Sequence, residues 1–398
     1  MNFLLTTTLR LPGNKRMPLP VLIWFSLAAA AIIAEALRDP VNNYLIFTGV
    51  FKHLVHQQNL YAPYPNEYWD LNHYGPFFSF VIAPFTIFPT KLGVVLWSLT
   101  NAAVLLWAIK KLPFNQKTFL TMVLICTMDM MTSTHNEQFN PMLSGWMLLS
   151  FALVEQKKDF WATFFIAAGF MVKLYGIAGV AFFLFSTDKF KFAWSLVFWL
   201  VVMFCAPMLI SSPSFIVNSY YDWYQSLAAK NAQNMDGSTF AMAQDICVMG
   251  MIRRIFHPGW FSNWMVLLPA LLAFGLPLLR FKQYDNIGFR LRYLALVMLS
   301  VVIFSTSAES STYVVAIPGV AIWFVLRRRP VSAWNIALLV FVVAVTSFSP
   351  SDLFPKYLRN HYVAPYSLKS LPCFIVWLLL IGEVAFKQCE TPKTAIAV

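Results

Sequence analysis

Asp39 stands where the first long apolar segment of the chain ends. An acid at a membrane boundary suits a general base, which takes a proton from a hydroxyl and accelerates group transfer by about 10²–10⁴-fold. The next residue is Pro40, and an acid followed by proline is also an ordinary helix N-cap with proline at the first helical position. Because capping and catalysis are compatible, the sequence supports both interpretations.

A second polar patch, His135–Met142 with the sequence HNEQFNPM, lies between two apolar segments. The carboxyl group of Glu137 and the amides of Gln138 and Asn140 offer hydrogen-bonding groups that suit sugar hydroxyls. His135 stands beside them, and we predict that all four contact a sugar or an acceptor. The alternative is an ordinary turn in which the proline after Asn140 opens the next helix.

Lys173 interrupts an apolar stretch with the sequence AAGFMVKLYGIAG. A lysine bounded by apolar half-spans is costly unless it is paired or reaches water, which makes it a candidate functional residue. We predict that an anionic phosphate is its partner. The alternative is that the side chain extends along the membrane until its ammonium group reaches the lipid headgroups.

Two later polar stretches also hold residues that suit phosphate or sugar. An arginine can bind a phosphate through two parallel hydrogen bonds, although lipid headgroups attract arginine equally well. The predicted ligands are Arg253, Arg254 and His257 for a phosphate, and Glu309 and Tyr313, in the serine-rich stretch Ser305–Tyr313, for a sugar or an acceptor.

The composition predicts the kind of protein that positions these residues. The 398 residues are 59% hydrophobic and 12% charged, whereas soluble domains carry roughly 25% charged residues. We therefore predict an all-α polytopic membrane protein with a single domain, residues 1–398. The net charge of +12 comes from short basic clusters between apolar runs. That pattern sets membrane orientation and contacts membrane lipids, so we predict no nucleic-acid partner.

Known cofactor-binding patterns do not occur in the sequence. It contains no glycine-rich phosphate-binding loop and no hydrolase motif. The five cysteines do not have the spacing of metal ligands. We therefore predict no cofactor and no obligatory metal.

The hydropathy pattern predicts about 12 transmembrane helices. They lie at about 20–37, 91–109, 118–134, 141–154, 160–172, 174–186, 192–210, 261–279, 293–308, 313–326, 331–348 and 369–386. The apolar segment Phe77–Phe88 is too short for a confident span, so we predict a re-entrant or interfacial helix there. Most basic clusters and both termini then lie in the cytoplasm, as the positive-inside rule expects. Residues 38–90 and 211–260 become extracytoplasmic loops, which places the candidate residues on that face.

Within the first of these loops, residues Val41–Val55 have helical periodicity. Apolar residues such as Tyr44 and Phe47 share one face, and polar residues such as Asn42 and His53 lie toward the other. The pattern predicts an amphipathic helix that lies along the membrane surface.

Four short motifs follow one another from Asp39 to Pro318. They are Asp39 with Tyr44 and the turn Asn59–Tyr61; Tyr74–Pro76 with Trp97 and Asn101; Gln138 and Asn140 with Lys173; and the serine-rich corner from Ser305 to Pro318. The series resembles the polyprenol-phosphate-mannose-dependent α-mannosyltransferases of glycosyltransferase family 87, within the GT-C class of membrane enzymes. There are two departures: Leu174 follows the lysine where the family often has proline, and Tyr313 stands near the place of a histidine.

The resemblance implies an inverting transfer of mannose, or of another hexose or pentose, from a polyprenyl-phosphate donor to a glycan or glycolipid acceptor. Asp39 would deprotonate the acceptor hydroxyl, and Tyr44 and Tyr74 would contact the sugar or acceptor. Lys173 would hold the donor phosphate. The reaction would serve a cell-envelope glycan, on the periplasmic or extracytoplasmic side of the inner or plasma membrane.

Two other functions remain open. A transporter or flippase predicts ionisable groups near mid-membrane and repeat-related halves. A polysaccharide polymerase or ligase of the other GT-C type would use arginine and histidine of the outer loops in place of an acid after the first span. Charges that cluster at the outer span ends, without a visible repeat, favour the lipid-donor transferase.

Overall fold

The structure is a computed structural model that describes residues 2–10, 16–38, 41–235, 243–257, 259–328, 330–390 and 395–396. This part of the chain is mostly helical, with almost no strands. The α-helices are α1 (Asn2–Thr6), α2 (Leu19–Arg38), α3 (Asn42–Val55), α4 (Phe78–Ile82), α5 (Thr90–Lys111), α6 (Gln116–His135), α7 (Asn140–Glu155), α8 (Asp159–Val172), α9 (Lys189–Cys205), α10 (Pro213–Met235), α11 (Val248–Phe256), α12 (Trp264–Gly275), α13 (Ile287–Ile303), α14 (Tyr313–Val325), α15 (Ala333–Phe341), α16 (Lys356–Leu358) and α17 (Leu371–Phe386). A short antiparallel hairpin pairs β1 (Thr8–Arg10) with β2 (Arg16–Pro18).

Contacts divide the chain into two compact units. The first unit comprises residues 1–24, 113–132 and 232–398, and the second comprises residues 25–112 and 133–231. The second unit contains α3, α5, α7 and α8, together with the turn that joins α6 to α7. It therefore holds the predicted residues from Tyr44 to Lys173.

Among the described residues, four helices are long and apolar enough to cross a membrane: Leu19–Arg38, Thr90–Lys111, Lys189–Leu209 and Leu368–Phe386. Five shorter apolar helices accompany them: Asp159–Val172, Leu174–Phe185, Trp264–Leu279, Ser310–Val325 and Ala333–Phe348. The chain is thus an all-α membrane protein. The predicted number of about 12 spans is not confirmed, because α7 and α13 have only 16 and 17 residues and several other predicted spans are shorter still.

Helix α3 has nearly the predicted bounds, but its surroundings differ from the prediction. The predicted apolar face is in the core, where Tyr44 and Phe47 are buried. His53 was expected on a polar surface, and it is buried as well. Its ring stacks on Tyr64 with 3.8 Å between centroids, and its Nε2 lies 3.2 Å from Glu67. The prediction of a solvent-facing side is wrong at His53, because the aromatic loop after α3 covers it.

The segment Phe77–Phe88 contains α4 and the 3-10 turn Ala83–Phe85. Each is far shorter than the roughly 20 residues that a helix needs to cross a membrane. Phe78 and Ile82 of α4 are buried in the same hydrophobic cluster as Phe47 of α3. Within the loop 38–90, the segment therefore packs against α3.

The chain reverses direction at Lys173. Helix α8 ends at Val172, Lys173 is extended with φ of −149°, and a tight 3-10 helix runs over Leu174–Phe185. A Cβ on Gly176 would lie 2.2 Å from the backbone of Gly169, so only glycine permits this approach. The close contacts run in opposite directions along the two segments, with Gly176 against Gly169 and Gly179 against Ile166. The two predicted half-spans therefore form an antiparallel hairpin with Lys173 at its tip.

Candidate active site

Glu137 caps the first turn of α3 from a distant part of the chain. It lies in the turn between α6 and α7 with a φ of 56°, a left-handed conformation that few non-glycine residues adopt. Its Oε2 accepts the backbone N–H of Tyr44, the third residue of α3, at 2.8 Å. Its carbonyl oxygen accepts the indole N–H of Trp97 at 2.8 Å. A carboxylate in this place satisfies a helix N–H group that has no partner within the helix.

Asp39 and Pro40 lie outside the described residues. Helix α3 begins at Asn42, and Val41 occupies its N-cap position. The interpretation of Asp39 as a helix cap therefore lies outside the described residues and stays a prediction. The carboxylate on the first turn belongs to Glu137, and the catalytic role of Asp39 stays a prediction.

The environment of Glu137 changes its acidity. Its side chain is buried, and this burial raises its pKa from 4.5 to about 7. The N–H groups of Tyr44 and Asn43 lower the pKa, and the nearby carboxylate of Glu35 raises it, by smaller amounts. Glu137 therefore changes its charge near neutral pH.

We expect the stability of the protein to depend on the protonation of Glu137. Because the folded-state pKa lies above the unfolded value, the protonated acid stabilises the fold fully below about pH 4.5, and this contribution is lost as the pH rises through 7. The free energy of unfolding decreases by about 3 kcal/mol at most over this range. The melting temperature in detergent should fall between pH 5 and pH 8 for the wild type, and less steeply for Glu137→Gln, which cannot titrate.

A control for this comparison is Asp352→Asn, because the side chain of Asp352 is fully exposed. Its melting temperature should follow the wild-type pH dependence. Equal slopes for the wild type and Glu137→Gln would show that Glu137 does not titrate in this range.

Lys173 contacts two other predicted residues in the second unit and is linked to a third through one of them. Its Nζ donates to Oδ1 of Asn140 at 2.9 Å. The ammonium group lies 5.7 Å from the ring centroid of Tyr74 and 5.2 Å from that of Tyr175. The hydroxyl of Tyr74 in turn donates to Oε1 of Gln138 at 3.3 Å. The amide oxygen of Asn140 and the faces of the two rings thus hold the ammonium group in place.

Aromatic packing fixes the position of Tyr74. Its ring centroid lies 4.7 Å from that of Phe78 and 5.0 Å from that of Phe47. Phe139 and Trp97 complete a buried cluster around these rings. Edge-to-face and stacked rings in such a cluster add stability beyond the area that they bury. The ring facing Lys173 is therefore preorganised.

Two other predicted sugar ligands of this unit make different contacts. Tyr44 is buried, and its hydroxyl donates to the carbonyl of Phe85 at 2.9 Å. A Cβ on Gly93 would lie 2.0 Å from that hydroxyl, so α5 packs directly against it. His135, at the end of α6, has its Nδ1 3.5 Å from a carboxylate oxygen of Glu35. Their roles as sugar ligands stay predictions.

His73 and Lys230 are two residues that the sequence analysis did not select. Nδ1 of His73 lies 2.9 Å from the hydroxyl of Ser226 on α10. Lys230 is buried and lies one helical turn after Ser226. Burial lowers the pKa of His73 to about 4, and the charges of Lys230 and Lys173 act in the same direction. The positive charges of two lysines thus disfavour protonation of the His73 imidazole, which stays neutral near pH 7.

The remaining predicted ligands lie in the first unit, where four of them bind one short segment, Gln244–Ile246. Arg253 pairs with the Asp245 carboxylate at 2.6 Å, Arg254 donates to the Gln244 carbonyl at 2.7 Å, Glu309 accepts the Gln244 amide at 2.7 Å, and Tyr313 donates to the Ile246 carbonyl at 2.8 Å. His257 is exposed at the end of α11. The charge of Arg253 is therefore already opposed by a buried acid.

Comparison with known proteins identifies the family. No curated protein gives a significant match to the chain. The profile of glycosyltransferase family 87 matches residues 72–306, more than half of the chain. The matched part contains Lys173 and the residues that contact it. Asp39 lies before the matched part, and Glu309 lies after it. The resemblance seen in the sequence is thus confirmed, and this membrane protein belongs to glycosyltransferase family 87.

Proposed function

We propose that the chain is an inverting glycosyltransferase that moves a sugar from a polyprenyl-phosphate donor to a hydroxyl of a glycan or glycolipid acceptor. The proposed site lies on the extracytoplasmic face of the membrane. The sugar is mannose or another hexose or pentose. The reaction requires a base for the acceptor hydroxyl and a cation for the phosphate that leaves.

The observation that carries this proposal is the position of Lys173 at the tip of an apolar hairpin. Helix α8 has 14 residues and the 3-10 segment has 12, and both are shorter than the roughly 20 residues of a full span. A cation at the end of such a hairpin lies where a lipid phosphate can approach from the membrane. The amide of Asn140 and the rings of Tyr74 and Tyr175 hold the ammonium group in place.

In the proposed reaction, the carboxylate of Asp39 takes the proton of the acceptor hydroxyl. The hydroxyl oxygen forms a bond to the anomeric carbon, and the bond from that carbon to the phosphate oxygen breaks. Polyprenyl phosphate leaves with the electron pair, and its charge is stabilised by Lys173. A single displacement inverts the configuration, so a β-linked donor gives an α-linked product.

The arrangement in the first unit favours this mechanism over that of a polymerase or ligase based on outer-loop arginines. Arg253 is held by the buried carboxylate of Asp245, and Arg254 donates to the carbonyl of Gln244. These contacts support a structural role for both arginines.

The donor class is tested with purified protein, labelled sugar and a panel of acceptors. We expect transfer when the sugar is supplied on polyprenyl phosphate and none when the same sugar is supplied as a nucleotide sugar. The product of a β-linked donor should have an α linkage, as measured by NMR. Preferential transfer from the nucleotide sugar, or a β-linked product, would contradict the proposal.

A further inference from the structure

A polar cavity of about 600 Å³ lies at one end of three helices in the first unit. It is bordered by residues near the start of α13 and just after the ends of α14 and α17. Its charged lining residues are Arg292, Arg327, Arg328, Lys387, Glu383 and Glu390. The serine-rich corner lies at the opposite ends of α13 and α14. None of the site residues predicted above is among the residues that line the cavity.

The lining carries more positive than negative charge. Glu383 pairs with both Arg327 and Arg292, so a single carboxylate faces two guanidinium groups. Glu390 pairs with Arg328. Within the described part of the chain, no carboxylate lies within ion-pair distance of Lys387. The lining thus has two acidic and four basic side chains. Its net positive charge attracts an anion.

The backbone holds part of this lining rigidly. Arg292 is buried and donates to the carbonyl oxygens of Gly288, Leu326 and Glu390. These bonds join the start of α13 to the residues that follow α14 and α17. The basic wall of the cavity is therefore formed before any ligand arrives.

Exposed apolar residues are sequence neighbours of the residues that line the cavity. Trp334 is 66% exposed and stands between the lining residues Ser332 and Asn335. Phe386 is 75% exposed and directly precedes Lys387. A soluble phosphate makes no contact with exposed apolar side chains. A lipid can pack its acyl chains against them while its headgroup contacts the basic residues.

We propose that this cavity binds the phosphate-bearing headgroup of an anionic phospholipid. In the predicted topology, the basic ends of α13, α14 and α17 lie on the cytoplasmic side. Basic pockets between transmembrane helices on that side are typical sites for anionic headgroups. The site is independent of the proposed donor site, which lies in the other unit.

The test uses the double variant Arg328→Gln/Lys387→Gln in the full-length protein. Both side chains are exposed, whereas Arg292 and Arg327 hold the fold and stay unchanged. The matched control is Lys110→Gln/Lys282→Gln, which removes two exposed charges outside the cavity. Each protein is titrated in mixed micelles with phosphatidylglycerol, phosphatidylcholine or inorganic phosphate. Bound lipid is counted by native mass spectrometry and the melting temperature is recorded.

We expect phosphatidylglycerol, but not phosphatidylcholine, to bind and to raise the melting temperature. The double variant should bind phosphatidylglycerol about thirtyfold more weakly, since each base near an anionic headgroup contributes roughly a fivefold factor. The control should stay within about twofold of the wild type. Unchanged affinity in the double variant, an equal loss in the control, or full stabilisation by inorganic phosphate would overturn the lipid assignment.

Discussion

Replacement of Lys173 by methionine is expected to lower the rate of sugar transfer by about 10²–10³-fold, the usual effect of removing one group that stabilises charge in a transition state. The ammonium group sits at the tip of the α8 hairpin, bonded to Asn140 and facing the ring of Tyr74. Methionine has a similar length and suits the apolar surroundings, so the hairpin should persist. The measurement is the rate of transfer at saturating donor, compared between wild type and variant.

Two further variants separate charge loss at the site from general damage. Lys158→Met removes an exposed lysine at the other end of α8 and should leave the rate unchanged. Lys230→Met should lower the rate by a smaller factor, because the charge of Lys230 acts on His73, whereas the Asn140 amide accepts its hydrogen bond from Lys173. If Lys173→Met transfers sugar at the wild-type rate, the donor phosphate is held elsewhere, and Arg253 or Arg254 becomes the next residue to test.

The hairpin shows how far the sequence predicts the fold. A charged residue between two apolar runs was enough to place the break at Lys173. The close packing of Leu174–Phe185 against α8 was not predictable, because it depends on the contact between Gly169 and Gly176. Close approach of two glycines is a property of the packed pair and leaves no periodic signal in either segment.

Helix α3 also shows what the sequence can predict and what it cannot. Its periodicity predicted the bounds to within one residue, since apolar side chains recur at helical spacing. The same periodicity predicted a polar side, yet His53 is buried under Tyr64 and paired with Glu67. An imidazole with an acid and an aromatic ring as partners is tolerated in the interior. The pattern of one helix contains no information about a loop that folds over it.

The candidate site was only partly predictable. The sequence selected Lys173, Gln138 and Asn140, and the structure links them through Tyr74. It did not select Lys230, because that lysine stands in a polar stretch where a charge is unremarkable. Its burial follows from the packing of α10 on the first loop through Ser226 and His73. The one available signal was the four-residue spacing of Ser226 and Lys230.

Asp39→Asn is expected to lower transfer by about 10²–10⁴-fold, the range for loss of a general base. Asparagine has nearly the same size but cannot take the proton of an acceptor hydroxyl. Because Glu137 provides the carboxylate on the first turn of α3 and Val41 occupies the N-cap position, the variant should keep this helix. Loss of activity would therefore report chemistry and not a lost cap.

The most direct test of the proposed mechanism measures the transfer of labelled sugar from a polyprenyl-phosphate donor by membranes that carry the wild type or Asp39→Asn at equal protein level. Donor binding is measured in parallel. We expect the wild type to transfer sugar, and the variant to bind the donor but not to transfer it. Transfer at the wild-type rate by Asp39→Asn would contradict the assignment of Asp39 as the base and would direct the search to Glu137, whose pKa of about 7 suits proton transfer.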